Sequence, residues 1–187
     1  FKEAVEIANM GEYFTNSIVV TALAIGILLL VSIPCAYALA RFEFKGRKIL
    51  SGIFQAGIFI NVNYIVVPIF LMLLDWDIAL RGRFDRGFFL DNRFVLALVY
   101  AATAIPFTVY LLSNYFRTIP KEFEEAASVD GASHFKTMVS IMIPMAKPSI
   151  ITVILFNFLA FWNEYIIALT LMPSSTKTLP VGLINLM

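Results

Sequence analysis

Four apolar stretches, each long enough to cross a lipid bilayer, constrain this chain more than any other feature. They run from about Asn16 to Ala40, Leu50 to Leu74, Phe94 to Tyr115 and Pro148 to Met172. A span needs roughly 20 mainly apolar residues. Inside lipid every backbone polar group must be satisfied within the segment, so these stretches are expected to be helices. Composition agrees: 60% of the residues are hydrophobic, 14% are charged, and the mean hydropathy is +0.84, which excludes an ordinary soluble domain. The predicted fold class is therefore all-α, a polytopic transmembrane helix bundle with about four spans in these 187 residues. Pro34, Pro68 and Pro106 fall inside the first three stretches, where a lost backbone hydrogen bond is tolerated only if neighbouring helices compensate. Gly26, Gly52 and Gly57 permit close helix approach.

Several function classes drop out. A formal net charge of +1 gives no basic field for a nucleic-acid partner. Cys35 is the only cysteine and cannot form an internal disulfide; it reads as a small buried hydrophobe. His134 is the only histidine, with no cysteine near it in sequence, so neither a metal site nor a cofactor is expected. No phosphate loop of the GxxxxGK type is present, so the chain is not expected to be an enzyme, and any ATP hydrolysis must come from another subunit. No signal peptide is visible, and the first residue is Phe1 rather than Met, the expectation for part of a longer protein.

The long polar segment, residues 117–147, lies between the third and fourth stretches. Pro120 suits the first turn of a helix, and the residues through Val129 are mostly good helix formers. Gly131 suits a left-handed stop, and Ser133 is placed to cap a second helix. The predicted local structure is a helix, a tight corner and a helix.

Within this segment, Glu125-Ala126-Ala127, three residues, Gly131, nine residues, Ile141, one residue and Ile143-Pro144 resemble the EAA loop of ABC importer membrane subunits. The flanks, Phe116 to Lys121 and Trp162 to Tyr165, are similar to the carbohydrate-importer branch that includes the maltose permease subunits. The resemblance covers most of the chain. It implies the permease core of a type I ABC importer, with a further span on each side to make six in the whole protein. It also implies a bacterial or archaeal cytoplasmic membrane, and translocation of a sugar or oligosaccharide by alternating access. The partners it implies are a dimer of cytoplasmic ATP-binding subunits, a second permease subunit and an extracytoplasmic solute-binding protein. Coupling to the ATPase would fall on Phe123, Glu125, Ala126, Ala127, Asp130, Gly131 and Pro144. In that role Ala126 and Ala127 allow close approach to a partner groove, Phe123 is an apolar anchor, Glu122, Glu124 and Glu125 offer charge, and Gly131 sets the angle.

Orientation rests on loop charge and on the resemblance together. Arg41, Lys45, Arg47 and Lys48 against Glu43 favour a cytoplasmic first loop, and hence a cytoplasmic 117–147 segment. Arg81, Arg83, Arg86 and Arg93 oppose this, balanced by Asp75, Asp77, Asp85 and Asp91, and the resemblance decides for the cytoplasm. In the fourth stretch, Asn157, Trp162, Asn163 and Glu164 interrupt an apolar run, and ionisable groups at membrane depth usually face a bundle interior or a water-filled path. At about 1.5 Å per residue, Glu164 lies roughly 24 Å from Pro148. An aromatic ring, an amide and a carboxylate suit a sugar's faces and hydroxyls, so Trp162, Asn163 and Glu164 are the expected substrate path, with Glu164 alternatively structural. In the second stretch Gln55 and Asn63, eight residues apart, fall near one helical face with Asn61 off to one side, and the three are expected to line the same path or to join helices. The Asn61-Val62-Asn63-Tyr64 run and the longer Asp75 to Asn92 segment depart from the family, which leaves the solute open. A polyol, a glycerophosphodiester, or a non-transporting scaffold or sensor are the alternatives.

Overall fold

A computed structural model describes residues 10–80, 88–172 and 177–184, the side chain of Ile184 excepted, and every regular element among them is helical. Arg81, Arg83, Asp85 and Arg86 of the longer loop lie outside the described residues, as does Phe1. In chain order the helices are α1 (Met10–Arg41), α2 (Arg47–Ile58), α3 (Val62–Leu80), α4 (Arg93–Thr118) and α5 (Glu122–Val129). After them come α6 (His134–Thr137), a π-helical turn (Met138–Met142), α7 (Ile143–Met145), α8 (Lys147–Trp162), α9 (Ile166–Leu171) and α10 (Leu179–Ile184).

Among the described residues, α1, α3 and α4 are each long and apolar enough to cross a membrane. A fourth crossing results if His134–Met145 and Lys147–Trp162, bent by 74°, count as one. The expected first and third stretches lie inside α1 and α4. The second does not form one helix: α2 ends at Ile58 and α3 begins at Val62. Asn61 explains the new start, because its Oδ1 accepts the Asn63 N–H at 3.0 Å, the bond of a helix-capping asparagine. The fourth stretch is interrupted too. α8 stops at Trp162, where the Asn163 amide donates back to Leu159 O at 2.7 Å, and the helix resumes only at Ile166. Pro34, Pro68 and Pro106 sit inside α1, α3 and α4 without ending them.

The chain divides into two compact units. One holds the described residues of Phe1–Ile27, Ile60–Thr103 and Phe158–Met187. There α9 packs on α3, and the Asp91 N–H donates to Leu171 O at 3.0 Å. Asp77, buried in the last turns of α3, accepts N–H groups from Phe88, Phe89 and Leu90 at 2.7, 2.7 and 3.1 Å. A buried carboxylate that collects three backbone donors fixes the chain entering α4. The start of α10 is tied to α1, with Leu179 N–H on Ser17 Oγ at 2.8 Å and the Asn16 amide on Lys177 O at 3.1 Å.

The other unit holds Leu28–Phe59 and Ala104–Asn157. Its core joins Ala36, Tyr37, Leu39 and Ala40 of α1 to Val109, Leu112 and Phe116 of α4, with Met138, Met142, Ala146 and Val153 of the later helices. α2 lies along α4: a Cβ at Gly57 would stand 3.0 Å from the Pro106 ring, and Ser51 and Gln55 share a narrow slot with Ser113 and Arg117. Asn157, buried in α8, donates to Thr108 Oγ1 at 3.2 Å and to Val153 O at 2.8 Å, so its polarity is spent on holding helices together.

In the first unit a Cβ at Gly182 would overlap the Tyr13 ring. Gly182→Ala should therefore lower stability by about 1–3 kcal/mol through overpacking. Thermal melting of the full-length protein in detergent checks this, and an unchanged midpoint contradicts it.

Candidate functional site

The polar segment after α4 folds into a helical corner. α5 begins at Glu122, two residues later than expected, so Pro120 precedes the Lys121 cap and lies outside the first turn; Lys121 O receives the Glu124 and Glu125 N–H groups. The far end of α5 closes with two backbone bonds, Ala132 N–H to Ala127 O at 2.9 Å and Gly131 N–H to Ser128 O at 3.0 Å. This paired pattern needs a left-handed residue just past the helix, and Gly131 supplies it at φ +75°. Ser133 then caps α6, its Oγ accepting the Lys136 N–H at 3.3 Å.

A proline shapes the route from α6 into α8. Pro144 has no N–H to give, and its ring crowds the carbonyl four residues back. The preceding backbone widens to a π turn, with Ile143 N–H reaching Met138 O. Ala146 then marks the 74° bend into α8. Pro144 itself is exposed on this turn.

α5 is held in place by a network that the sequence pattern alone does not reveal. Arg41, in the last turn of α1, is 5% exposed at its side chain, and its Nε lies 3.0 Å from Glu124 Oε2. That contact is off the N–H axis, an ion pair without a linear hydrogen bond. Arg41 Nη2 donates to Ile119 O at 2.6 Å, and the buried Tyr37 hydroxyl donates to Glu124 Oε1 at 2.6 Å. Tyr37 also sets its ring edge-on to Phe42 and to Phe116. Two expectations change here. Glu124 does not offer its charge outward, because Arg41 and Tyr37 occupy it. Ala127 does not form part of an outer docking face, because it is buried and turned into the unit. The available clue was spacing: Tyr37 and Arg41, one turn apart, are the polar residues that close an apolar helix.

The surface the corner presents is formed by Phe123, Glu125, Ala126, Asp130 and Gly131, all exposed. Two apolar residues that the sequence pattern did not single out join it: Val129 at 88% exposure and Phe135 at 72%. Apolar residues flanking a glycine corner inside a polar segment were the signal for them. A groove of about 250 Å³ lies beside the corner, lined by Tyr37, Arg41, Glu124, Glu125 and His134 among others.

The expected substrate-path residues fall in the first unit. The Glu164 carboxylate accepts the Tyr100 hydroxyl at 3.1 Å and the N–H groups of Ile167 and Ala168 at 3.1 and 3.2 Å. It thereby closes the gap between α8 and α9. Trp162 stacks on Phe158 at 5.5 Å and meets Phe14 edge-on at 5.7 Å. Asn163 is exposed beside them. Asn61 and Asn63 are exposed at the start of α3 and bond to each other, while Gln55 belongs to α2. The break after Ile58 puts Gln55 and Asn63, expected near one face of a single helix, on two separate helices.

Comparison with known proteins places this geometry. The family model described as "binding-protein-dependent transport system inner membrane component" matches residues 29–186. The diacetylchitobiose uptake system permease protein NgcG of Streptomyces coelicolor is 36% identical over 91% of this chain and 53% of its own length. The osmoprotective compounds uptake permease protein GgtD of Synechocystis is 30% identical over 93% of this chain and 55% of its own. A crystal structure of a bacterial ABC transporter involved in import of the acidic polysaccharide alginate superposes with a TM-score of 0.76. It is 28% identical, over 94% of this chain and 57% of that one. The chain thus spans a little over half the length of these relatives.

Glu124→Ala should strand the Arg41 charge and lower stability by about 2 kcal/mol, less than a fully buried pair because Glu124 is 19% exposed. The double variant Arg41→Gln/Glu124→Gln should lose less than the sum of its two single variants. Melting of the four proteins checks this, and strict additivity contradicts it.

Proposed function

The chain belongs to the family of binding-protein-dependent transport system inner membrane components, and on that premise we propose that it serves as a permease subunit of an ATP-driven sugar importer. The observation that carries the reading is the corner itself. A short helix is locked by Arg41 and Tyr37 to α1, and it carries exposed apolar residues beside a glycine stop. Such an element transmits motion only if it is rigid toward its own helices and adhesive toward a partner. Phe123, Val129 and Phe135 serve as anchors in a groove of an ATP-binding subunit, with Glu125 and Asp130 as the charged rim.

In this reading ATP hydrolysis belongs to a pair of separate cytoplasmic subunits, and this chain does no catalysis. A second permease subunit completes the pathway, and a solute-binding protein delivers sugar from the opposite face. The segment from residue 117 to 147 faces the cytoplasm. Closure of the ATPase pair pushes α5, the Arg41 link carries the push to α1, and the pathway changes from inward-open to outward-open. Membership of an inner-membrane transport family supports a permease, and the names of the diacetylchitobiose and alginate relatives support a carbohydrate. A second reading, a polyol or other polar solute, rests on the relative named for osmoprotective compounds. Trp162 and Asn163 are the proposed solute contacts in the first unit. Glu164 holds the helix gap that positions them.

Two tests bear on this proposal. A Cβ at Gly131 meets open space, so its cost is conformational, about 1–2 kcal/mol for Ala in a left-handed residue and less for Asn. Gly131→Ala and Gly131→Asn should both leave the assembled complex intact. Both should lower solute-stimulated ATP hydrolysis about tenfold, a barrier change near 1.4 kcal/mol. Normal stimulation in the Asn variant would remove the corner from the contact. In the second test, Asn163→Ala should reduce sugar uptake with the melting temperature unchanged. Glu164→Ala should lower stability by about 1–2 kcal/mol, because two backbone N–H groups and a tyrosine lose their acceptor. Uptake that is unaffected by Asn163→Ala would take that residue off the path.

A further inference from the structure

Between α2 and the end of α4 lies a cleft of about 510 Å³, lined by Arg47, Lys48, Ser51, Gly52, Gln55 and Arg117. Three of the six are cations and none is an acid. Arg47 is fixed against the end of α1, its Nε on Leu39 O at 2.9 Å and its Nη2 on Ala40 O at 3.2 Å. Lys48 and Arg117 are exposed, and no ion pair holds either one among the described residues. Glu43 lines a second cleft that shares Arg47 and Lys48, and it is absent from this one.

The helix ends beside the cleft set its depth. α1 and α4 are both apolar and long enough to span, and the last turn of α1 meets the turn just after α4 where Arg41 Nη2 donates to Ile119 O at 2.6 Å. Apolar helix gives way to polar loop there, the level at which lipid headgroups sit. On α2 the lining residues recur at 48, 51, 52 and 55, one helical face. Ile49 and Ile53 occupy the neighbouring face, 71% and 61% exposed. A cationic face beside an apolar face on one helix, at headgroup depth, matches the two halves of an anionic lipid.

We propose that this cleft binds the phosphate headgroup of an anionic phospholipid. Lys48 and Arg117 pair with the phosphate, Ser51 and Gln55 hydrogen-bond the rest of the headgroup, and Ile49 and Ile53 lie along the acyl chains. The site takes a lipid, not the transported solute, and its occupancy requires no turnover.

The test uses the full-length chain in its native complex, titrated in detergent with phosphatidylglycerol and, separately, with phosphatidylcholine, and read by native mass spectrometry. The wild type should prefer phosphatidylglycerol, with affinity that falls as salt rises. Lys48→Gln/Arg117→Gln should weaken that binding about tenfold, while Lys48→Arg/Arg117→Lys retains it. Equal affinity for the two lipids, or a preference indifferent to salt, overturns the proposal without any variant. Unchanged binding in the neutral double variant overturns it as well. Displacement of the lipid by inorganic phosphate at matched concentration would identify free phosphate as the ligand. Loss of the ATP-binding subunits from the neutral variant, with lipid affinity unchanged, would make the cleft a protein contact instead.

Discussion

Arg41 ends a 32-residue helix whose other charged residue is an acid in its first turn, and a guanidinium 5% exposed at such a place must find its partners inside the protein. An unpaired charge there would cost several kcal/mol. The partners it finds come from the turn after α4 and from α5, through Ile119 O and the Glu124 carboxylate. Tyr37, one turn earlier, donates its hydroxyl to the other oxygen of the same carboxylate. Three separate pieces of chain are thereby held in one arrangement by the need to satisfy one buried cation. That arrangement sets the angle of the corner toward its own helices.

The rest of the corner is made rigid by local chemistry. Gly131 permits the paired backbone bonds that stop α5, and Ser133 starts the next helix within two residues. Pro144 denies the α-helical bond at its position, and the chain answers with a π turn and then the 74° bend. None of these features depends on a partner. The residues around them, Phe123, Val129 and Phe135, stay 45%, 88% and 72% exposed, and this contrast between a satisfied polar interior and an exposed apolar surface carries the functional reading.

The sequence announced the helical class, the long spans α1 and α4, the Gly131 stop and the Ser133 cap, because each rests on a rule that acts within a few residues. What it concealed depends on neighbours distant in the chain. Glu124 and Glu125 look alike as letters, and only the approach of α1 decides that the first is internal and the second free. Ala126 and Ala127 separate the same way, one outside and one buried. The breaks at 59–61 and 163–165 were hidden inside apolar stretches for a different reason. Hydropathy counts side chains, whereas Asn61, Asn163 and Glu164 act by offering the backbone local hydrogen bonds that compete with helix continuation. Asp77 stands out in the sequence only as loop charge, although its three backbone donors make it an anchor.

The central claim is that α5 and the end of α1 move as one body. Spin labels at Val129 on α5 and at Leu30 on α1, both exposed, placed after Cys35→Ser in the full complex, measure it by pulsed electron resonance. The account predicts one distance distribution, unchanged between the nucleotide-free and ATP-bound complexes. A distribution that shifts or splits on ATP binding would show that the corner hinges against α1, and the Arg41–Glu124 link would not be what transmits the motion.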